Sequence, residues 1–180
     1  MPRPPEPATG TVGVLTTPRL NLRRFEARDA EFIMQLVNDA DWLRFIGDKN
    51  VHSPADARRY IEEGPCASYA RHGYGLYLVE RLEDATPIGM CGLVRRDTLE
   101  CADIGFAFMP AWRGQGYAHE AAAAVLDHAR AVLGMDRILG ITLPQNGASV
   151  RLLERLGLAF ERTLTPDGGG EALAVYSIAF

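Results

Sequence analysis

The sequence predicts a single α/β domain built on a mixed sheet, and three observations lead there. Short stretches of alternating apolar and polar residues recur toward both ends of the chain. One long stretch between Gly116 and Gly134 carries a helical apolar stripe, and no repeat or linker divides the 180 residues. With 47% hydrophobic and 23% charged residues, the composition suits one ordinary folded domain.

Residues 1–14 are rich in proline and small residues and lack periodic apolar positions, so a flexible arm is expected there and the domain is expected over 15–180. Leu20, Leu22 and then Phe25 alternate with polar residues as a first strand, and Phe32, Ile33, Leu36, Val37 and Ala40 follow at helical spacing. Ser53-Pro54 opens a second helix, with Ser53 as N-cap, Pro54 at the first helical position and Asp56 in an acidic first turn. Gly64-Pro65 is expected to interrupt it before a further helical piece that ends near His72. Three hairpin strands are expected at Gly75 to Glu80, Pro87 to Arg95 and Glu100 to Phe108. On the long helix, Ala118, Ala122, Val125, Ala129, Val132 and Leu133 share one face, with Glu120, Asp127 and Arg130 opposite. A strand over Ile138 to Leu143 and a helix over Ala148 to Leu156 come next. Two last strands, Ala159 to Leu164 and Ala172 to Ile178, are joined through Gly168-Gly169-Gly170.

No apolar run approaches the ~20 residues of a membrane span, and the proline-rich start lacks the apolar segment of a secretory signal. A cytoplasmic protein without a membrane partner is expected. The net charge of -4 argues against a nucleic-acid partner, which calls for a basic surface, and is mildly compatible with a cationic substrate. Cys66, Cys91 and Cys101 lack paired spacing and read as reduced core thiols. His52, His72, His119 and His128 form no constellation, so no metal is expected. Lys49 is the only lysine, and the arginine excess reads as compositional bias.

The informative stretch runs from Asp103 to Ala118. A strand through Ile104, Phe106 and Phe108 passes Pro110 and enters Arg113-Gly114-Gln115-Gly116-Tyr117-Ala118 at the start of the long helix. Glycines let backbone N–H groups turn toward a ligand, and the first helical turn adds unpaired donors and the positive end of the helix dipole. That arrangement makes a pyrophosphate cradle. The dinucleotide-binding fingerprint fits worse, because it wants a third glycine where His119 stands. An isolated Gly-x-Gly pair also serves as a plain tight connection.

The run Arg113-Gly114-Gln115-Gly116-Tyr117-Ala118 is similar to the Arg/Gln-x-x-Gly-x-Gly/Ala motif of the Gcn5-related N-acetyltransferase (GNAT) superfamily. From about Thr17 to Phe180 the order of elements resembles the branch that acetylates ribosomal-protein N-termini. Asp103-Ile104-Gly105, Glu120-Ala121, Asn146-Gly147-Ala148-Ser149 and Glu154-Arg155-Leu156-Gly157 match that branch in order and spacing. The resemblance implies an enzyme that moves an acetyl group from acetyl-CoA, as cosubstrate, to a primary amine on a protein N-terminus or a small molecule. It implies two strands splayed around the cofactor. Phe106, Ala107 and Phe108 would line the pantetheine arm, residues 113–118 would hold the pyrophosphate mainly through backbone N–H groups, and Asn146 and Ser149 would also face the cofactor. A homodimer is a further implication, since strands at the C-terminus offer edges for pairing.

Acetyl transfer needs a neutral amine, a proton acceptor and a proton donor for the leaving thiolate. Asp103 is the candidate base, with Glu100 behind it, and a plain salt-bridged strand carboxylate is the competing reading. Many relatives carry an acidic tyrosine where this chain has Leu152 and Leu153, so Ser149 inherits the donor role by resemblance, or serves only as a residue of the helix start. Asn146 orients the cofactor or caps that helix. Trp42, Phe45 and Tyr60 are candidates for the acceptor pocket or for the core. A sensor that binds acetyl-CoA without turnover, and an enzyme for a different acyl group, are the alternative functions.

Overall fold

The computed structural model describes residues 13–180. Its strands form where side chains alternate between two buried faces, and its helices form where the apolar period lengthens to cover those faces. Eight strands make one open sheet: β1 (Leu15–Thr16), β2 (Leu20–Arg23), β3 (Leu76–Arg81), β4 (Pro87–Val94), β5 (Asp103–Phe108), β6 (Arg137–Thr142), β7 (Ala159–Leu164) and β8 (Leu173–Ala179). Their order is β1-β2-β3-β4-β5-β6-β8-β7. All neighbours among the described residues are antiparallel except β5 and β6, which are joined through a long crossover helix.

The helices are α1 (Ala30–Val37), α2 (Ala40–Phe45), α3 (Pro54–Ile61), α4 (Ala67–His72), α5 (Tyr117–Ala131) and α6 (Gly147–Arg155). On one face of the sheet, α5 lays Ala121, Ala122, Val125 and Ala129 against Cys91, Ile104 and Ile138, all nearly inaccessible. The alanines let the helix sit close to the strands. On the other face, Ile33, Leu36 and Val37 of α1 and Ala57 and Ile61 of α3 cover Leu78 and Met90. Ser53 caps α3 as expected, its Oγ accepting from Asp56 N at 3.1 Å.

Several expectations need correction. Gly64-Pro65 does not break the helix: the chain winds through a π-helical turn at Glu62–Cys66 and continues into α4. The wider turn accommodates a proline that has no N–H to donate. Ala40 begins a separate helix, because Asp39 turns extended and caps α2 by accepting from Asp41 N. Phe25 lies beyond the end of β2, and a two-residue strand, β1, precedes it and pairs Leu15 with Leu22. The third hairpin strand starts at Asp103 rather than Glu100. Of the three cysteines only Cys91 is fully buried; Cys66 and Cys101 are half-buried. The expected N-terminal arm falls mostly on residues 1–12, outside the described residues, while Val14 already donates to Leu22 O at 2.7 Å.

One buried ion cluster ties the first strand to the helical layer. The Arg23 guanidinium makes two bonds of 2.9 Å to Asp29, just before α1, and one of 3.0 Å to Glu80 on β3. These acids raise the Arg23 pKa against the opposing effect of burial. Asp29 also accepts from Glu26 N at 2.8 Å. Removing one partner strands a buried charge, so Asp29→Ala should lower stability by about 3–5 kcal/mol in urea unfolding.

Candidate active site

The parallel pair β5–β6 holds together at one register position, Asp103 opposite Leu139, with Leu139 N donating to Ala102 O at 3.0 Å. Beyond it the strands part. From Ile104 to Phe108, β5 is paired only with β4, and β6 pairs on through Thr142 only with β8. The gap opens into a cleft of about 950 Å³. On the α5 face its walls come from residues 113, 114 and 116–119, β6 and α6; on the α1–α3 face they come from α2, Tyr60 and the β3–β4 surface.

A 3-10 turn at Pro110–Trp112 leads from β5 into the loop. Gly114 (φ 72°) and Gly116 (φ 82°) both adopt the left-handed conformation, which a Cβ penalises. Gly116 is the N-cap of α5, so no side chain caps the helix, and Gly116, Tyr117 and Ala118 of that helix start border the cleft. Glu120, in that first turn, would repel an anion if it were free. It is drawn away: Thr17 Oγ1 donates to it at 2.6 Å, Arg19 N at 2.9 Å and Arg19 Nε at 2.6 Å. Burial pushes the Glu120 carboxyl up, but these bonds outweigh it and hold the group below its ordinary value. The Arg19 guanidinium also lies 4.3 Å from the centre of the Tyr117 ring and donates to Gln115 O at 3.0 Å.

The cleft brings together Asp103, Phe106, Ala107, Phe108, Gly114, Gly116, Tyr117, Ala118, Asn146 and Ser149. Gln115 is not part of its lining; the side chain folds back to Ala111 O at 3.1 Å. Arg113 borders the cleft, but its guanidinium is committed elsewhere, with Nε bonded to Phe108 O at 2.9 Å and the two terminal nitrogens to Asp41 at 2.6 Å and Asp39 at 2.7 Å. Glu100 sits outside, in a surface network with Arg137 and Arg162. Asn146 caps α6 by accepting from Ser149 N at 3.3 Å, whereas no hydrogen bond of the Ser149 hydroxyl occurs among the described residues. Asp103 is almost wholly buried, and Arg96 Nε donates to it at 2.9 Å. Burial pushes the Asp103 carboxyl up, Arg96 opposes this, and the net value stays above the usual carboxylate range.

The family model described as an acetyltransferase (GNAT) domain matches residues 19–159. This chain belongs to the GNAT acetyltransferase family. It is 26% identical over 147 residues to YnaD of Bacillus subtilis (strain 168), named an uncharacterized N-acetyltransferase, covering 82% of this chain and 83% of that protein. The solved acetyltransferase from Agrobacterium tumefaciens superimposes with a TM-score of 0.79 at 23% identity, over 98% of this chain and 99% of that one. The ribosomal-protein-S5-alanine acetyltransferase of Vibrio fischeri does so with 0.75 at 16%, over 92% and 95%. The two structures establish the fold; the chain is an N-acetyltransferase by its family, which uses acetyl-CoA.

For a GNAT enzyme the uncapped α5 start and the two positive-φ glycines fit an anionic pyrophosphate. Arg151 and Arg155 of α6 add cations to the same cleft and make no ion pair among the described residues. Their spacing of four on a helix was a readable signal that sequence reasoning passed over. Asp39 and Asp41 had no such signal, because their partner Arg113 lies more than seventy positions along the chain, and Arg96 meets Asp103 only once the hairpin has folded. Arg113, expected on the cofactor, borders the cleft while its guanidinium fastens the 113–118 loop to α2. Replacing it should therefore cost acceptor recognition: in Arg113→Gln, kinetics should show the acceptor KM raised about tenfold or more, from two lost charge-assisted hydrogen bonds, with acetyl-CoA affinity by calorimetry little changed.

Proposed function

We propose that the enzyme transfers acetyl from acetyl-CoA to a primary amine, on a protein N-terminus or a small molecule, by direct attack within a ternary complex. The observation that carries this reading is the parting of β5 from β6, which lets a ligand held at the α5 start and one entering from α2 meet along the freed edge of β5. Backbone groups of Phe106 and Phe108 lie on that edge for the pantetheine arm, while those of Ala107 turn toward β4, and residues 113–118 hold the pyrophosphate. Holding two reactants together in this way removes most of the entropic barrier to a bimolecular step.

In the chemical step the neutral amine attacks the acetyl carbonyl carbon, the N–C bond forms, and the C–S bond breaks. The net proton moves from nitrogen to sulfur. Asp103, in the cleft with its carboxyl pKa raised by burial, accepts the amine proton through water. Ser149 Oγ, without a hydrogen bond among the described residues and in the lining of the cleft, assists the departing thiolate. Deprotonating an α-amine of pKa ~8 at pH 7 costs about 1.4 kcal/mol, so a weak base suffices for it, whereas a lysine near ~10.4 costs about 4.6.

Asp103 works only when ionised, so kcat should fall as pH drops through its raised pKa, above the ordinary range of ~4. Asp103→Asn should remove that acidic limb and lower kcat by about 10²-fold or more, read as free thiol released per turnover. An unaltered pH profile in this variant would assign Asp103 to structure alone.

A further inference from the structure

The charges lining the cleft are unlike those of the whole chain. Three carboxylates border it, Asp39, Asp41 and Asp103, and each is ion-paired: the first two to Arg113 and the third to Arg96. Five cations border it, Lys49, Arg96, Arg113, Arg151 and Arg155. The chain's formal charge of -4 is thus carried elsewhere, and the mild compatibility with a cationic substrate read from that total does not hold locally. Arg151 and Arg155 lie on α6 beside the cofactor loop. On the other face, Lys49, which follows α2, makes no ion pair among the described residues, and one terminal nitrogen of Arg96 is left over after the two bonds to Asp103.

The remaining acceptor wall is apolar. Trp42, Phe45 and Ile46 of α2 and its C-cap face Tyr60 of α3, and Ile46 is 47% exposed. Burial pushes the Tyr60 hydroxyl up to about 12, so it stays neutral and serves only as a hydrogen-bonding group. The Trp42 indole N–H is buried and finds no acceptor among the described residues. A buried donor without a partner is rare in folded proteins and points to an oxygen supplied by something else.

We propose that the acceptor is a single amine carried on an apolar body that also bears an anionic oxygen group, and that polyamines are excluded. This rests on the acetyltransferase reading of the same cleft. A polyamine carries at least one extra ammonium group and needs a free carboxylate for it; here every carboxylate already has an arginine. An acceptor carboxylate, by contrast, meets Lys49 and the spare nitrogen of Arg96, while its apolar body covers Phe45 and Ile46. Hydrophobic amino acids have this chemistry, and so do short peptides with a nearby acidic side chain.

The test uses the full chain with acetyl-CoA and four amines: phenylalanine, phenylalaninamide, a Phe-Asp dipeptide amide and spermidine. Free thiol release gives kcat/KM for each. The two acidic amines should exceed phenylalaninamide by about fivefold or more, the effect of a solvent-accessible charge pair, and their ratio to each other tells free amino acid from peptide. Lys49→Glu should erase or reverse the preference, and added salt should shrink it. Equal or better turnover of spermidine, or a preference untouched by Lys49→Glu, overturns the acceptor class and leaves the transferase reading standing. No thiol release with any amine in protein that binds acetyl-CoA overturns both.

Discussion

The structure depends on one missing stretch of hydrogen bonding. β5 and β6 meet at Asp103 and Leu139 and nowhere farther along. Each strand is fully paired on its outer side, so the sheet survives the parting, while the inner edge of β5 beyond Asp103 is left with polar backbone groups that a ligand can satisfy, apart from Phe108 O, which Arg113 already bonds. Packing holds the gap open. Gly140 of β6 admits Leu153 of α6, where an added Cβ would come within 2.6 Å of Leu153 Cδ2, so α6 is pressed against its own strand instead of bridging to β5. The alanines of α5 bind that helix to the opposite side of the opening.

Arginine holds the walls in place. Arg23 joins β2, β3 and the start of α1; Arg19 joins the β1–β2 turn to the first turn of α5; Arg113 joins the loop to α2; Arg96 closes over Asp103. In each case one guanidinium bonds at least two acceptor atoms, which a lysine ammonium does with less directional control. An excess of arginine that looked like compositional bias thus supplies the fasteners between elements distant in sequence. It also leaves the cleft's carboxylates neutralised, and that decides the local sign of charge more than the net charge does.

Most of the fold was legible because periodicity is local. The strands from Leu76 to Phe108 and the helix from Tyr117 fall within a few residues of where alternation and apolar spacing put them, and the Ser53 cap was readable from two adjacent residues. The π-helical turn at Glu62–Cys66 was not, since whether proline breaks a helix or widens it depends on what covers the far side, and here Pro65 is buried. The loop at 113–118 was legible as Gly-x-Gly before a helix. The direction of its side chains was not: Arg113 turns toward Asp39 and Asp41, more than seventy positions earlier, and no local pattern encodes that. Asp103 was found from its place on the strand, but its partner Arg96 came only from the folded hairpin.

The central claim, that the α5 start and its two left-handed glycines hold the cofactor, is tested most directly by calorimetric titration of the wild type and Gly116→Val with acetyl-CoA at fixed salt, with unfolding curves confirming that both are folded. Saturable binding at one site per chain is expected for the wild type and should disappear in the variant, because a branched side chain at a positive-φ N-cap would distort the N–H groups proposed to meet the pyrophosphate. Absence of binding by the wild type, or equal binding by a folded Gly116→Val, would contradict it.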